Sequence, residues 1–251
     1  MGPLEALAVL AAGVAAGGIN TVVGSGSLIT FPTLLAVGVP PVVANVSNTV
    51  GLVPGALTGT LGYRAELRGQ RARLVRLGVA SAVGALVGGL LLLLLPPEAF
   101  RFIVIVLIVV AIVLVIVQPR LNAWMASRRE SSRRHGGPWL WLGVLGSGIY
   151  GGYFGAAQGV MLIGLLGVFL DDDLQRINAA KNVLAGLVNA VAAALFILLA
   201  EVDWRAALLI AVGAAAGGAL GARLGRRLSP TALRTVIVCV GLFAIVQLAM
   251  G

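Results

Sequence analysis

The residues that could do chemistry in this sequence are few, mostly uncharged, and grouped around two glycine-rich breaks. The first break is Gly24-Ser25-Gly26-Ser27 and the second is Gly155-Ala156-Ala157-Gln158-Gly159, each opening a short apolar segment. A helix starting at such a break presents backbone N–H groups and the positive end of its dipole, an arrangement suited to an anion. Ser25, Ser27 and Gln158 add side-chain donors. Asn45, Asn48 and Thr49 share one helix face by i+3 and i+4 spacing, and Asn178, Asn182, Ala185 and Asn189 form a stripe at i, i+4, i+7 and i+11. Asn20 closes the segment before the first break, Tyr150 and Tyr153 precede the second, and Lys181, the only lysine, adjoins Asn182. An anion stripped of water must regain hydrogen bonds, and these groups can supply them. The predicted substrate-binding set is Asn20, Gly24, Ser25, Gly26, Ser27, Asn48, Thr49, Tyr153, Gln158, Lys181, Asn182 and Asn189. Each has a plainer reading as well: asparagines join helices by hydrogen bonds, lysine snorkels to an interface, and tyrosines mark one.

Other chemistries are poorly served. All nine acids, Glu5, Glu66, Glu98, Glu130, Asp171, Asp172, Asp173, Glu201 and Asp203, fall in connections or at segment ends. No carboxylate pair stands ready for acid–base work, and no His- or Cys-rich cluster for a metal, so neither an enzyme nor a cofactor is expected. Cys239 lies alone in an apolar run and His135 alone in an arginine-rich stretch.

The elements that must position these residues are written in the composition. Of 251 residues, 59% are hydrophobic and 11% charged, and the mean hydropathy is +1.04, far from a soluble domain. Apolar runs of about 20 residues recur, the length a helix needs to cross a hydrocarbon core about 30 Å thick. An all-α polytopic membrane bundle is predicted, with lipid as a partner. A β-barrel would need short alternating segments, whereas Phe102 to Val117 is apolar without a break. Thirty-five glycines and ten prolines suit membrane helices, where small residues permit close approach. The net charge of +9 belongs to arginines between apolar runs, so nucleic acid is not an expected partner.

Ten segments follow, at 4–23, 26–38, 41–62, 74–95, 98–118, 139–155, 158–170, 174–199, 203–222 and 229–249. The first carries Glu5 and no basic leader, and is read as a retained span. If each crosses and the N-terminus is outside, Arg64, Arg68, Arg71, Arg73, Arg76, Arg120, Arg128, Arg129, Arg133, Arg134, Arg176, Lys181, Arg223, Arg226, Arg227 and Arg234 face the cytoplasm, against Arg101 and Arg205 outside. That asymmetry fits the positive-inside rule. The order long, short, long, long, long occurs twice, with Asn48 and Asn182 coinciding. Five crossings per half invert the second, giving repeats at 1–118 and 139–251 joined by an Arg-rich linker at 119–138, with a substrate site where the broken helices meet. In the alternative, segments 2 and 7 are re-entrant and the halves run parallel.

The run from Gly17-Gly18-Ile19-Asn20 through Gly24-Ser25-Gly26-Ser27 to Phe31-Pro32, followed by Ala44 to Thr49 and a weaker second copy from near Gly148, resembles the sulfite exporter TauE/SafE family. The resemblance spans the chain. It implies a transporter of sulfite, organosulfonates such as sulfoacetate, or related anions in the cytoplasmic membrane of a prokaryote. Many relatives carry a longer glycine run where this chain has Gly24-Ser25-Gly26-Ser27. The missing mid-membrane carboxylate points to export driven by the membrane potential rather than by a proton relay or sodium site. An anion channel and a non-transporting assembly protein are the rivals, and a homodimer is compatible with the sequence.

Overall fold

A computed structural model describes residues 1–127, 137–224 and 230–250, and within these ten α-helices account for the architecture. They are α1 Pro3–Val22, α2 Ser27–Ala36, α3 Pro41–Gly62, α4 Arg71–Leu94, α5 Pro97–Ser127, α6 Gly137–Tyr153, α7 Gln158–Phe169, α8 Leu174–Leu199, α9 Trp204–Leu224 and α10 Pro230–Met250. Each predicted segment is a helix. Arg128, Arg129, Arg133, Arg134, Arg226 and Arg227, which carry part of the charge argument, lie outside the described residues, as does His135. Helix α5 continues nine residues past position 118, through Pro119, so the linker stretch begins as helix.

Local chemistry explains the boundaries. Pro3 and Pro41 occupy first-turn positions whose N–H would be orphaned anyway. Asp173 caps α8 by accepting from the Gln175 amide at 2.9 Å. Helices α1 and α6 end identically: Val23 and Gly24 both donate to the Ile19 carbonyl, and Phe154 and Gly155 both donate to that of Tyr150. Gly24 and Gly155 then turn left-handed, at φ 92° and 73°, which favours glycine. The next turn repeats too, since Ile29 and Thr30 bond to the Gly26 carbonyl as Val160 and Met161 bond to that of Ala157.

Five helices, α1, α4, α5, α8 and α9, have spans long and apolar enough to cross a membrane. Helices α2 and α7 have 10 and 12 residues, or about 15 and 18 Å of rise. Neither can cross alone, but the two end to end match the roughly 30 Å core.

Small residues set the packing. Gly13 meets Ile210, Gly17 meets Ala214, and Gly51, Gly55 and Gly62 meet Ile210, Ala214 and Ala222, so α1, α3 and α9 run in one direction. Gly84 and Gly88 meet Leu145 and Ile149, while Gly78 and Gly89 meet Leu187 and Leu195, so α4, α6 and α8 share a direction. Arg176, near the start of α8, donates to the carbonyls of Glu66 and Arg68 just beyond the end of α3, which sets the two groups antiparallel. Exchanging the halves, α1 with α6 and α3 with α8, carries the contacts of α1 with α9 onto those of α6 with α4, and the contacts of α2 with α10 onto those of α7 with α5. The halves are therefore inverted and the parallel arrangement is overturned, while segments 2 and 7 are half-length helices that do not each cross as full spans.

At one end of the bundle, Asp172 pairs with Arg73 at 2.7 Å and Arg176 at 2.6 Å, and Gln70 donates to the Arg176 carbonyl. Partial burial would raise the Asp172 pKa, but hydrogen bonds and charge from Arg73 and Arg176 outweigh it and hold the carboxyl below its usual 3.8. A folded pKa below the unfolded one stabilises the protein above about pH 4, and that contribution disappears as pH falls through the lower value. Asp172→Asn should cost about 2 kcal/mol at neutral pH. Thermal unfolding in detergent should show wild type and variant converging below pH 4.

Candidate functional site

The two glycine breaks touch. The Gly159 amide donates to the Gly24 carbonyl at 3.0 Å, and a Cβ on either glycine would overlap the other's backbone. The N-terminal ends of α2 and α7 thus converge from the two halves. Phe31 of α2 and Phe154 at the end of α6 pack edge to face at 5.2 Å, closing one flank of the junction.

Around it lie polar side chains withdrawn from the surface. Ser25 and Asn48 are fully buried, and Ser27, Thr49, Gln158 and Asn182 nearly so. The Asn48 amide donates to Ser27 Oγ at 3.1 Å, while Thr30 Oγ1 donates to Asn48 Oδ1. Asn20 is half-buried and its Oδ1 accepts from the Gly26 amide at 3.3 Å. Asn45 reaches across the halves to donate to the Tyr153 carbonyl at 2.9 Å. Asn178 and Asn182 reach the other way, both donating to the Thr21 carbonyl at 3.3 Å.

Lys181 completes the group. It is 0% exposed, its stem lies against Gly159, and its ammonium donates to the carbonyls of Asn20 at 2.9 Å and Thr21 at 3.1 Å. No carboxylate among the described residues pairs with it. Two neutral carbonyls compensate a buried cation only in part. Several buried polar atoms of these residues have no protein partner: Ser25 Oγ, Gln158 Nε2 and the Tyr153 hydroxyl, which can donate, and Oδ1 of Asn45 and Asn178, which can only accept. Buried polar atoms are normally paired; the unpaired Ser25, Gln158 and Tyr153 donors and the incompletely paired cation favour an anion, whereas the two free amide oxygens call for a donor of their own.

The expected residues do not all gather here. Asn20, Gly24, Ser25, Gly26, Ser27, Asn48, Tyr153, Gln158, Lys181 and Asn182 belong to the two breaks or to helices bonded to them. Thr49 is buried but donates to the Asn45 carbonyl of its own helix at 2.9 Å, an ordinary helix back-bond. Asn189 is half-buried and lies about 10 Å along α8 from Asn182, taking part in none of these bonds. The snorkelling alternative for Lys181 does not hold, since the side chain is fully enclosed. Nor do the two asparagines coincide as read from sequence. Helices α3 and α8 start at Pro41 and Leu174, and counting from those starts sets Asn45 level with Asn178, Asn48 with Lys181 and Thr49 with Asn182.

Thr30 and the Thr21 carbonyl were not anticipated. Thr30 follows Ser27 at i+3 on α2, a spacing that places both on one face. A backbone carbonyl carries no side-chain signal.

A family model described as "Sulfite exporter TauE/SafE" matches residues 9–248. A "Probable membrane transporter protein" of Haemophilus influenzae is 24% identical over 214 residues, covering 84% of this chain and 81% of that protein. No solved structure matches.

Proposed function

The chain belongs to the sulfite exporter TauE/SafE family of membrane transporters, and on that premise we propose that it exports a small anion, sulfite or an organosulfur anion such as sulfoacetate, across the cytoplasmic membrane of a prokaryote by alternating access. Repeats 1–118 and 139–251, joined through 119–138, rock about the junction of α2 and α7. The Arg-rich end of the bundle faces the cytoplasm. The anion binds where the breaks meet, with Lys181 supplying charge, Ser25, Ser27 and Gln158 supplying hydrogen bonds, and the amide ends of the two short helices supplying dipole.

The single observation carrying this reading is Lys181, wholly buried beside the glycine contact and without a carboxylate partner among the described residues. An intramembrane charge is costly and is retained where it meets a substrate or partner of opposite charge. The contact of the breaks adds support, because it puts two positive helix ends beside that ammonium.

The membrane potential supplies the driving force. A monoanion leaving a negative interior gains about 2.3 kcal/mol per 100 mV, enough for roughly a fiftyfold gradient. In liposomes containing purified protein, sulfite efflux should follow a potassium–valinomycin potential and persist when the proton gradient is collapsed. Efflux that ignores the potential and requires imposed protons would overturn the mechanism.

A further inference from the structure

A second feature, independent of the anion site, lies on the outer surface between α4 and α8. Leu67, Arg71, Leu74, Val75, Gly78, Val79, Ala82, Val183 and Leu187 line a groove of about 600 Å³, within the range of small-molecule sites. Gly78 helps open it, since even a single Cβ there would come within 3.3 Å of Leu187. From Arg71 to Ala82 the groove follows α4 for about 16 Å. All of that length is apolar except its mouth.

The mouth holds Arg71, the first residue of α4. Its neighbours Arg73 and Arg176 are engaged by Asp172 and Arg76 by the Gly137 carbonyl. Arg71 is exposed and, among the described residues, takes part in no ion pair or hydrogen bond. No acidic residue lines the groove. An unpaired cation at the level where the chain leaves the bundle, above a long apolar trough open to lipid, has the polarity of a phospholipid with an anionic head.

We propose that this groove is a binding site for one anionic phospholipid, its acyl chain lying along Leu74, Gly78 and Val79 and its phosphate on the Arg71 guanidinium. The trough explains why the occupant has a chain, and the unpaired arginine why its head is negative. A zwitterionic lipid of the same chains fills the trough but gains less at the mouth. The occupant bridges α4 of one half and α8 of the other, the helix that carries Lys181.

Native mass spectrometry of the full-length protein in detergent tests this, with phosphatidylglycerol and phosphatidylcholine of identical acyl chains added in turn. One phosphatidylglycerol should be retained about fivefold more strongly than phosphatidylcholine, the preference expected from one arginine near the headgroup. Arg71→Gln should remove that preference and leave thermal stability in pure detergent unchanged. Val79→Trp, an exposed position filled with bulk, should reduce retention of both lipids. A preference that survives Arg71→Gln, retention indifferent to Val79→Trp, or displacement of the lipid by chainless glycerol phosphate would each overturn the assignment. None of these readouts uses transport, so failure here leaves the anion site standing and the reverse holds too.

Discussion

Gly24→Ala is expected to reduce transport to the level of protein-free liposomes and to lower thermal stability sharply. The backbone at Gly24 has φ 92°, a left-handed conformation that costs an L-residue about 1–2 kcal/mol. The added methyl would overlap the backbone of Gly159, and overpacking of this kind costs roughly 1–3 kcal/mol. Moving the chain to relieve the overlap breaks the bond from the Gly159 amide to the Gly24 carbonyl, worth about 1 kcal/mol. Together these amount to about 3–6 kcal/mol, a large part of a typical domain's stability. Gly38→Ala is the matched control. Gly38 also has a left-handed backbone, at φ 84°, but nothing lies within 4 Å of the position its Cβ would take. It should show the conformational cost alone and retain transport. Unfolding temperatures of the two purified variants, with flux measured in parallel, separate the junction from backbone strain, and equal behaviour would refute the importance of the contact.

Lys181→Met should give the opposite pairing of effects. If the ammonium were mainly a structural tie to the Asn20 and Thr21 carbonyls, its loss would weaken both fold and function. Because it is buried with only those two neutral partners, an apolar side chain of similar length removes an incompletely compensated charge, which is often neutral or stabilising. The anion, however, loses a charge-assisted hydrogen bond worth about 3 kcal/mol, or roughly a hundredfold in transport efficiency. Initial efflux rates across a range of sulfite concentrations, with an unfolding curve for the same preparation, should show flux down about a hundredfold and the unfolding temperature level or higher. Unchanged flux would remove Lys181 from the site.

Much of this architecture is legible in the amino-acid order because the bilayer simplifies it. A membrane helix must run about 20 apolar residues, so ten segments stand out, and the arginines mark one end of the bundle. The breaks are legible too, because a left-handed turn before a helix favours glycine, and Gly24 and Gly155 share that role. Registration inside the repeat is less visible. The two copies differ in the length of their short helix, 10 residues in α2 and 12 in α7, and that difference displaces any match drawn between α3 and α8. Matching asparagine to asparagine pairs Asn48 with Asn182, while counting from the helix starts at Pro41 and Leu174 sets the register one residue away.

What no sequence pattern reports is the part made by main chain. The Lys181 ammonium is held by carbonyls at the end of α1, some 160 residues away, and such acceptors exist at every position. A lysine about two turns inside a helix reads equally as snorkelling to an interface or as enclosed. Only the meeting of α1, α7 and α8 separates the two. Asn189 shows the converse, since it shares the spacing of the Asn178 and Asn182 stripe yet sits too far along α8 to join their bonds. Periodicity names a face, and depth along that face comes from packing.

Diffraction from crystals soaked in selenite, a heavier analogue of sulfite, measured at the selenium edge, places the substrate directly. An anomalous peak should appear within hydrogen-bonding reach of the Lys181 ammonium and the Ser25 hydroxyl, beside the contact of Gly24 with Gly159, and should vanish in Lys181→Met. Selenium bound only elsewhere, by protein that still transports sulfite, would contradict a site built on the two glycine breaks.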